Sequence, residues 1–194
     1  MSTAVTHFIV GACIAAPVAA VTRSDSGVRP VALVASAGLV AAVPDLDAAL
    51  FGVVPYAHFF GHRGFFHSPF FLVLLSFALS SLVLALARGV RAADWLTMFV
   101  VFSLAGASHS VLDAMSDAGL GVMLAFPFSR ARYFLPWRIF YTPPVRAALP
   151  DKALLLRMAS REAALVGISL LASAVLTTAA RRWARRGRDR RAAP

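Results

Sequence analysis

Five stretches without a single Asp, Glu, Lys or Arg decide what this chain can fold into. They cover residues 5–21, 30–44, 69–87, 95–112 and 163–180. Each is long enough, or nearly so, to cross the hydrocarbon of a bilayer as a helix. In lipid only a helix or a closed barrel satisfies its own backbone, and the alternation a barrel needs is absent. The expected fold is all-α: a polytopic membrane helix bundle of about five transmembrane helices with an interfacial loop region. Residues 1–180 form one membrane-embedded domain in this reading, and 181–194 a basic tail. The composition agrees. With 59% hydrophobic and 14% charged residues, the chain departs from a soluble enzyme and from a disordered segment. Ser68-Pro69 reads as an N-cap with proline at the first helical position. The apolar stretch 118–128 is too short to span and is expected at the interface or folded back into the bundle. No Lys or Arg precedes Arg23, so the first stretch reads as a retained helix and not a signal peptide. The single Cys13 excludes an internal disulfide and a cysteine-cluster metal site.

Charge sets the expected orientation. The net charge is +10, yet from Arg181 onward seven Arg and one Asp contribute +6 of it. That tail follows the fifth stretch directly and is expected in the cytoplasm by the positive-inside rule. Arg23, Arg29, Arg88 and Arg91 then fall in short cytoplasmic loops. The loop of about 116–161 falls outside although it carries Arg130, Arg132, Arg138, Arg146, Lys152, Arg157 and Arg161, which conflicts with the rule. Binding of the tail to anionic lipid is expected over nucleic acid, because no nucleic-acid module is present.

This orientation rests on Lys and Arg alone, and the remaining polar residues test it. All five histidines and six of the nine acids fall on the outer side. Ionisable groups at membrane depth are costly and point to function. In H109-S-V-L-D113 the imidazole and carboxylate lie four residues apart, on one helix face. P44-D-L-D47 puts two carboxylates at a helix end, and H62-R-G-F-F-H67 places two imidazoles about an Arg and a Gly. His and Asp without Cys suit zinc or manganese. The number of acids makes two ions about 3.5–4 Å apart plausible. His58 and Asp151 have no motif partner, and Asp117 is a candidate for the layer behind the ligands.

These motifs in this order, with T6-H7, G119-LGVMLAFPF-S129 and R132-YFLPW-R138, resemble a bacterial family of inner-membrane, LexA-binding, metal-dependent hydrolases. That family is distantly similar to zinc-dependent phospholipase C enzymes, which are all-α and cleave phosphoesters. The resemblance runs from His7 to about Glu162. It implies a bacterial inner-membrane protein with one or two divalent metal ions, zinc foremost, and ligands among His7, Asp45, Asp47, His62, His67, His109 and Asp113. Glu162 stands where such proteins carry an acid before the last helix. A LexA-type protein partner is implied by the resemblance alone. The tract after Arg138 departs from the family's pattern.

The expected chemistry is hydrolysis of an anionic phosphoester or lipid. Asp47 or Asp113 would act as general base, and Arg63, Arg132 and Arg138 would clamp the phosphate. The rival expectations are a metal transporter and a regulatory, partner-binding protein without catalysis.

Overall fold

Every charge-free stretch lies within or forms a helix: α1 (Ala4–Ala19), α2 (Pro30–Ala42), α3 (Pro69–Leu86), α4 (Ala92–Ala114) and α5 (Lys152–Ala192). The computed structural model describes residues 3–22, 25–117, 119–139 and 151–192. Arg23, Arg146 and the tract 140–150 lie outside them. Among the described residues there is no strand; Val122 and Tyr133 form an isolated antiparallel bridge. Three helical segments and α2 with its continuation are long and apolar enough to cross a membrane. The protein is an all-α, multi-pass membrane bundle.

The helix ends follow local rules. Ser68 Oγ accepts from Phe71 N at 3.2 Å, and Pro69 opens α3, as the sequence predicts. Asp151 caps α5 through Ala153 N and Leu154 N. α2 reaches spanning length only because the chain continues past Ala42 as a 3₁₀ helix, Val43–Leu50. The tighter winding begins next to Pro44, whose ring removes a backbone donor. The last helix departs from expectation at both ends. Its 41 residues span about 62 Å at 1.5 Å per residue, roughly twice the hydrocarbon thickness. The basic tail continues the helix of α5 through residue 192.

Packing uses small residues, as expected where lipid removes the hydrophobic drive between helices. α1 packs on α2, α4 and α5, and α3 packs on α4. A Cβ on Gly11 would stand 2.6 Å from Ala41 Cβ and 2.7 Å from the Ala37 carbonyl oxygen. On the facing helix, a Cβ on Gly38 would meet the Phe8 ring at 2.8 Å. α5 runs parallel to α1, because Glu162 reaches Thr3 and Thr6 while Ser173 Oγ donates to the Cys13 carbonyl at 2.9 Å. The outer faces of α3 and α5 expose Leu74, Phe77, Leu170, Leu171 and Val175, which suits lipid.

The start of α1, the end of α2, the start of α3 and the end of α4 meet at one end of the bundle. Phe59, Phe60, Phe65, Phe66 and Phe126 gather there in edge and tilted contacts, at the level where aromatic belts form. The 119–135 segment folds back over this end. Val122 is fully buried, and Leu135 N donates to the Ala114 carbonyl at 2.8 Å. At the opposite end Asp94 accepts from Ser26 Oγ at 2.7 Å and Arg91 N at 3.0 Å, tying the α1–α2 loop to α4.

Gly11→Ala is expected to cost about 1–3 kcal/mol by overpacking. Gly167→Ala meets nothing within 4 Å and is expected to leave stability unchanged or raise it by up to about 1 kcal/mol. Unfolding of the two variants in one detergent checks the opposite signs.

Candidate metal centre

Five short pieces of chain deliver the polar groups to one point. His7 lies one turn into α1, held close to α2 by the Gly11 contact. The 3₁₀ continuation of α2 turns Asp45 and Asp47 toward the bundle axis. The loop that follows is wound tightly: a Cβ on Gly61 would meet the Pro55 and Tyr56 carbonyls at 2.4 Å. Gly64 has no more room, because such a Cβ would run into the Phe59 carbonyl oxygen. Between them Arg63 takes φ +62°, a left-handed conformation that costs a non-glycine residue about 1–3 kcal/mol and is characteristic of functional sites. Its side chain is wholly buried. A short 3₁₀ turn, Phe65–His67, leads into α3, and Ser110 Oγ donates to the His67 carbonyl at 2.6 Å. His109 and Asp113 complete the group one turn apart on α4.

The hydrogen bonds fix which ring nitrogens carry protons. The Ala41 carbonyl can only accept, so His109 Nδ1 donates to it at 2.8 Å. Asp47 accepts from His62 Nδ1 at 2.6 Å and from His67 Nε2 at 2.9 Å. That leaves His109 Nε2 and His67 Nδ1 facing each other at 2.8 Å. With both rings neutral these would be two lone pairs in contact, so a proton or a cation has to lie between them. Burial works against a charged His67. The carboxylates of Asp47 and Asp113 beside it outweigh that penalty and push the imidazole up to about 9. In metalloproteins a carboxylate or carbonyl behind each ligating histidine serves to fix the tautomer and aim the free nitrogen. Asp47 and Ala41 stand in those positions here.

Two donor groups result. His7, Asp45, His109 and Asp113 bring one ligand atom each within 4.8 Å of one another, and so do Asp45, His62 and His67. Asp45 belongs to both. His62 Nε2, Asp45 Oδ1 and Asp113 Oδ2 are buried and make no hydrogen bond among the described residues. Asp113 Oδ2 lies 3.2 Å from His67 Nδ1 and 3.5 Å from His109 Nε2. His7 Nε2 is 3.6 Å from Asp113 Oδ1, and its ring lies against that of His109 at 3.8 Å. Arg63 Nη2 donates to Asp113 Oδ1 at 3.2 Å. With neutral imidazoles, three carboxylates and one guanidinium sum to −2. A buried imbalance of that size requires compensation. The donor set, the unsatisfied atoms and the charge all fit a divalent cation.

Several expected site residues stand elsewhere. Asp47 is in neither donor group, because both of its oxygens are taken by histidine N–H groups. Glu162 accepts from Thr3 N, Thr3 Oγ1 and Thr6 Oγ1. It joins α5 to the N-terminus of α1 and lies outside both groups. Arg132 spends its guanidinium on the carbonyls of His62, Tyr56 and His58 at 2.7–3.0 Å, so it clamps the loop and not a phosphate. Arg138 is exposed and stacks on the Phe134 ring at 4.4 Å. Asp117 lines a surface cleft with Arg138, Arg157 and Arg161. Ser110 and the Ala41 carbonyl escaped the sequence reading. Ser110 adjoins His109 and had that one available signal, whereas a backbone carbonyl carries none.

The model of a family described as "YdjM inner membrane protein" matches residues 1–184. The chain is 32% identical over 145 residues to the Escherichia coli (strain K12) protein named "Inner membrane protein YbcI", covering 74% of this chain and 78% of that protein. No solved structure matches. The chain belongs to the YdjM inner membrane protein family.

Arg132→Met removes three charged hydrogen bonds from the loop that carries His62. It is expected to lower stability by about 2 kcal/mol, whereas Arg138→Met stays within about 0.5 kcal/mol. Thermal unfolding of the two variants separates these outcomes.

Proposed function

We propose that this member of the YdjM inner membrane protein family is a membrane-bound, metal-dependent hydrolase acting on an anionic phosphoester of lipid type. The observation that carries the reading is the pair of buried donor groups sharing Asp45. His7, Asp45, His109 and Asp113 would hold one divalent ion, zinc or manganese by donor type, and Asp45, His62 and His67 a second. Such ions would lower the pKa of water and withdraw charge from the phosphoryl oxygens of an ester attacked at phosphorus.

The chain's own residues supply the rest. Asp47 and the Ala41 carbonyl hold the imidazoles in the tautomers that point free nitrogens inward. Arg63 fixes one oxygen of Asp113 and leaves Oδ2 directed at the histidines. With Oδ1 held by Arg63, Asp113 Oδ2 is the carboxylate atom that would take a proton from the attacking water. The cluster sits at helix ends, level with the aromatic residues of the loop. A lipid headgroup reaches that level while its chains stay in hydrocarbon. A transport path would distribute such groups toward the midplane, so the placement favours hydrolysis. Arg29, Arg88, Arg91 and the basic end of α5 collect at the opposite end. Under the positive-inside rule that end faces the cytoplasm and the cluster faces outward.

Elemental analysis of purified protein is expected to find two divalent ions per chain. His62→Gln should reduce this to one, Asp45→Asn should remove both, and Glu162→Gln should change nothing. Wild-type protein without metal, prepared without chelators, would refute the reading. On a phosphoester found by screening, Asp113→Asn should lower kcat by about 10²-fold or more; full activity in that variant would refute the assigned base.

A further inference from the structure

The basic extension of α5 takes no part in the proposed site. Arg181, Arg185 and Arg188 stand at i, i+4 and i+7, on one face of the helix. That face turns toward the end of α1, and the arginines line a cleft of about 540 Å³ with Val21, Thr22 and Asp25. We propose that this cleft, formed between Arg181, Arg185 and Arg188 of α5 and the end of α1, binds the headgroup of an anionic phospholipid.

Three observations support this. The first is charge. Asp25 already pairs with Arg91 at 3.1 Å, and the C-terminus of α1 offers about half a negative charge. Three guanidinium groups exceed what these two can neutralise, so the cleft keeps a net positive charge. The second is depth. The charge-free run 163–180 covers about 27 Å as helix, close to the hydrocarbon thickness. Glu162 marks one boundary and Arg181 the other, which puts the cleft at headgroup level. Trp183, 78% exposed, lies at the same level, where indole rings anchor helices. The third is shape. Guanidinium forks match phosphate oxygens, and basic pockets between membrane helices are headgroup sites. The opposite side of the same helix carries Arg182 and Arg186 against α5's own side chains only, and with Arg190 one turn on it supplies a control of equal charge.

The full chain in a neutral detergent, titrated with short-chain phosphatidylglycerol and followed by native mass spectrometry, tests the proposal. One phosphatidylglycerol is expected to bind per chain above the level seen with phosphatidylcholine. The variant R181Q/R185Q/R188Q should bind at least about tenfold more weakly, and R182Q/R186Q/R190Q within about threefold of wild type. All these side chains are exposed, and unchanged thermal unfolding confirms that both variants fold. An equal loss in the two variants would reduce the effect to diffuse attraction and overturn the proposal. So would unchanged binding in the first variant, or full displacement of the lipid by an equal concentration of inorganic phosphate.

Discussion

Two imidazole nitrogens 2.8 Å apart, His67 Nδ1 and His109 Nε2, cannot both present lone pairs. Each has its other nitrogen committed as a donor, His109 to a backbone carbonyl and His67 to Asp47. The contact therefore needs a positive particle between them. Around it the charge of Asp45, Asp47 and Asp113 exceeds that of Arg63, inside an apolar bundle where an uncompensated charge is expensive. A proton would relieve the contact alone, whereas a divalent cation would relieve both the contact and the charge. The architecture is arranged so that this requirement arises at one place. Helix pairs packed through Gly11, Gly38 and Gly106 bring α1, α2, α3 and α4 close enough for their ends to share a buried site.

The surrounding hydrogen bonds make the site rigid. Ser110 holds the His67 backbone, Asp47 holds two rings, and Arg132 ties the loop carbonyls of Tyr56, His58 and His62 together. Arg63 pays a left-handed backbone conformation to bring its guanidinium inside against Asp113. Such supporting bonds keep ligand atoms within tenths of an ångström of a working arrangement. Three cations of the basic 116–161 loop are likewise tied to the protein. Arg130 lies over the Phe59 ring, Arg138 over Phe134, and Arg132 on carbonyls, so these charges are engaged within the protein.

Much of this was legible in the sequence because membrane helices advertise themselves through long charge-free runs. The scarcity of His and acidic residues then made their gathering conspicuous. The four-residue spacing of His109 and Asp113 gave a shared face directly. Other roles depended on distances that no spacing encodes. Asp45 and Asp47 are chemically alike and two apart, yet the 3₁₀ winding after Pro44 gives one to both donor groups and the other to the histidines behind them. Glu162 met an unforeseen competitor in the Thr3 and Thr6 hydroxyls. The basic composition of the tail marked its charge and not its conformation; alanines and arginines are strong helix formers, and the helix continues through it.

X-ray absorption spectroscopy at the edge of the bound metal tests the central claim most directly. Expected are nitrogen and oxygen ligands at about 2.0–2.2 Å, outer-shell scattering from imidazole rings, and a second metal at about 3.5–4 Å. The spectrum of a hydrated ion, without imidazole scattering, would contradict it.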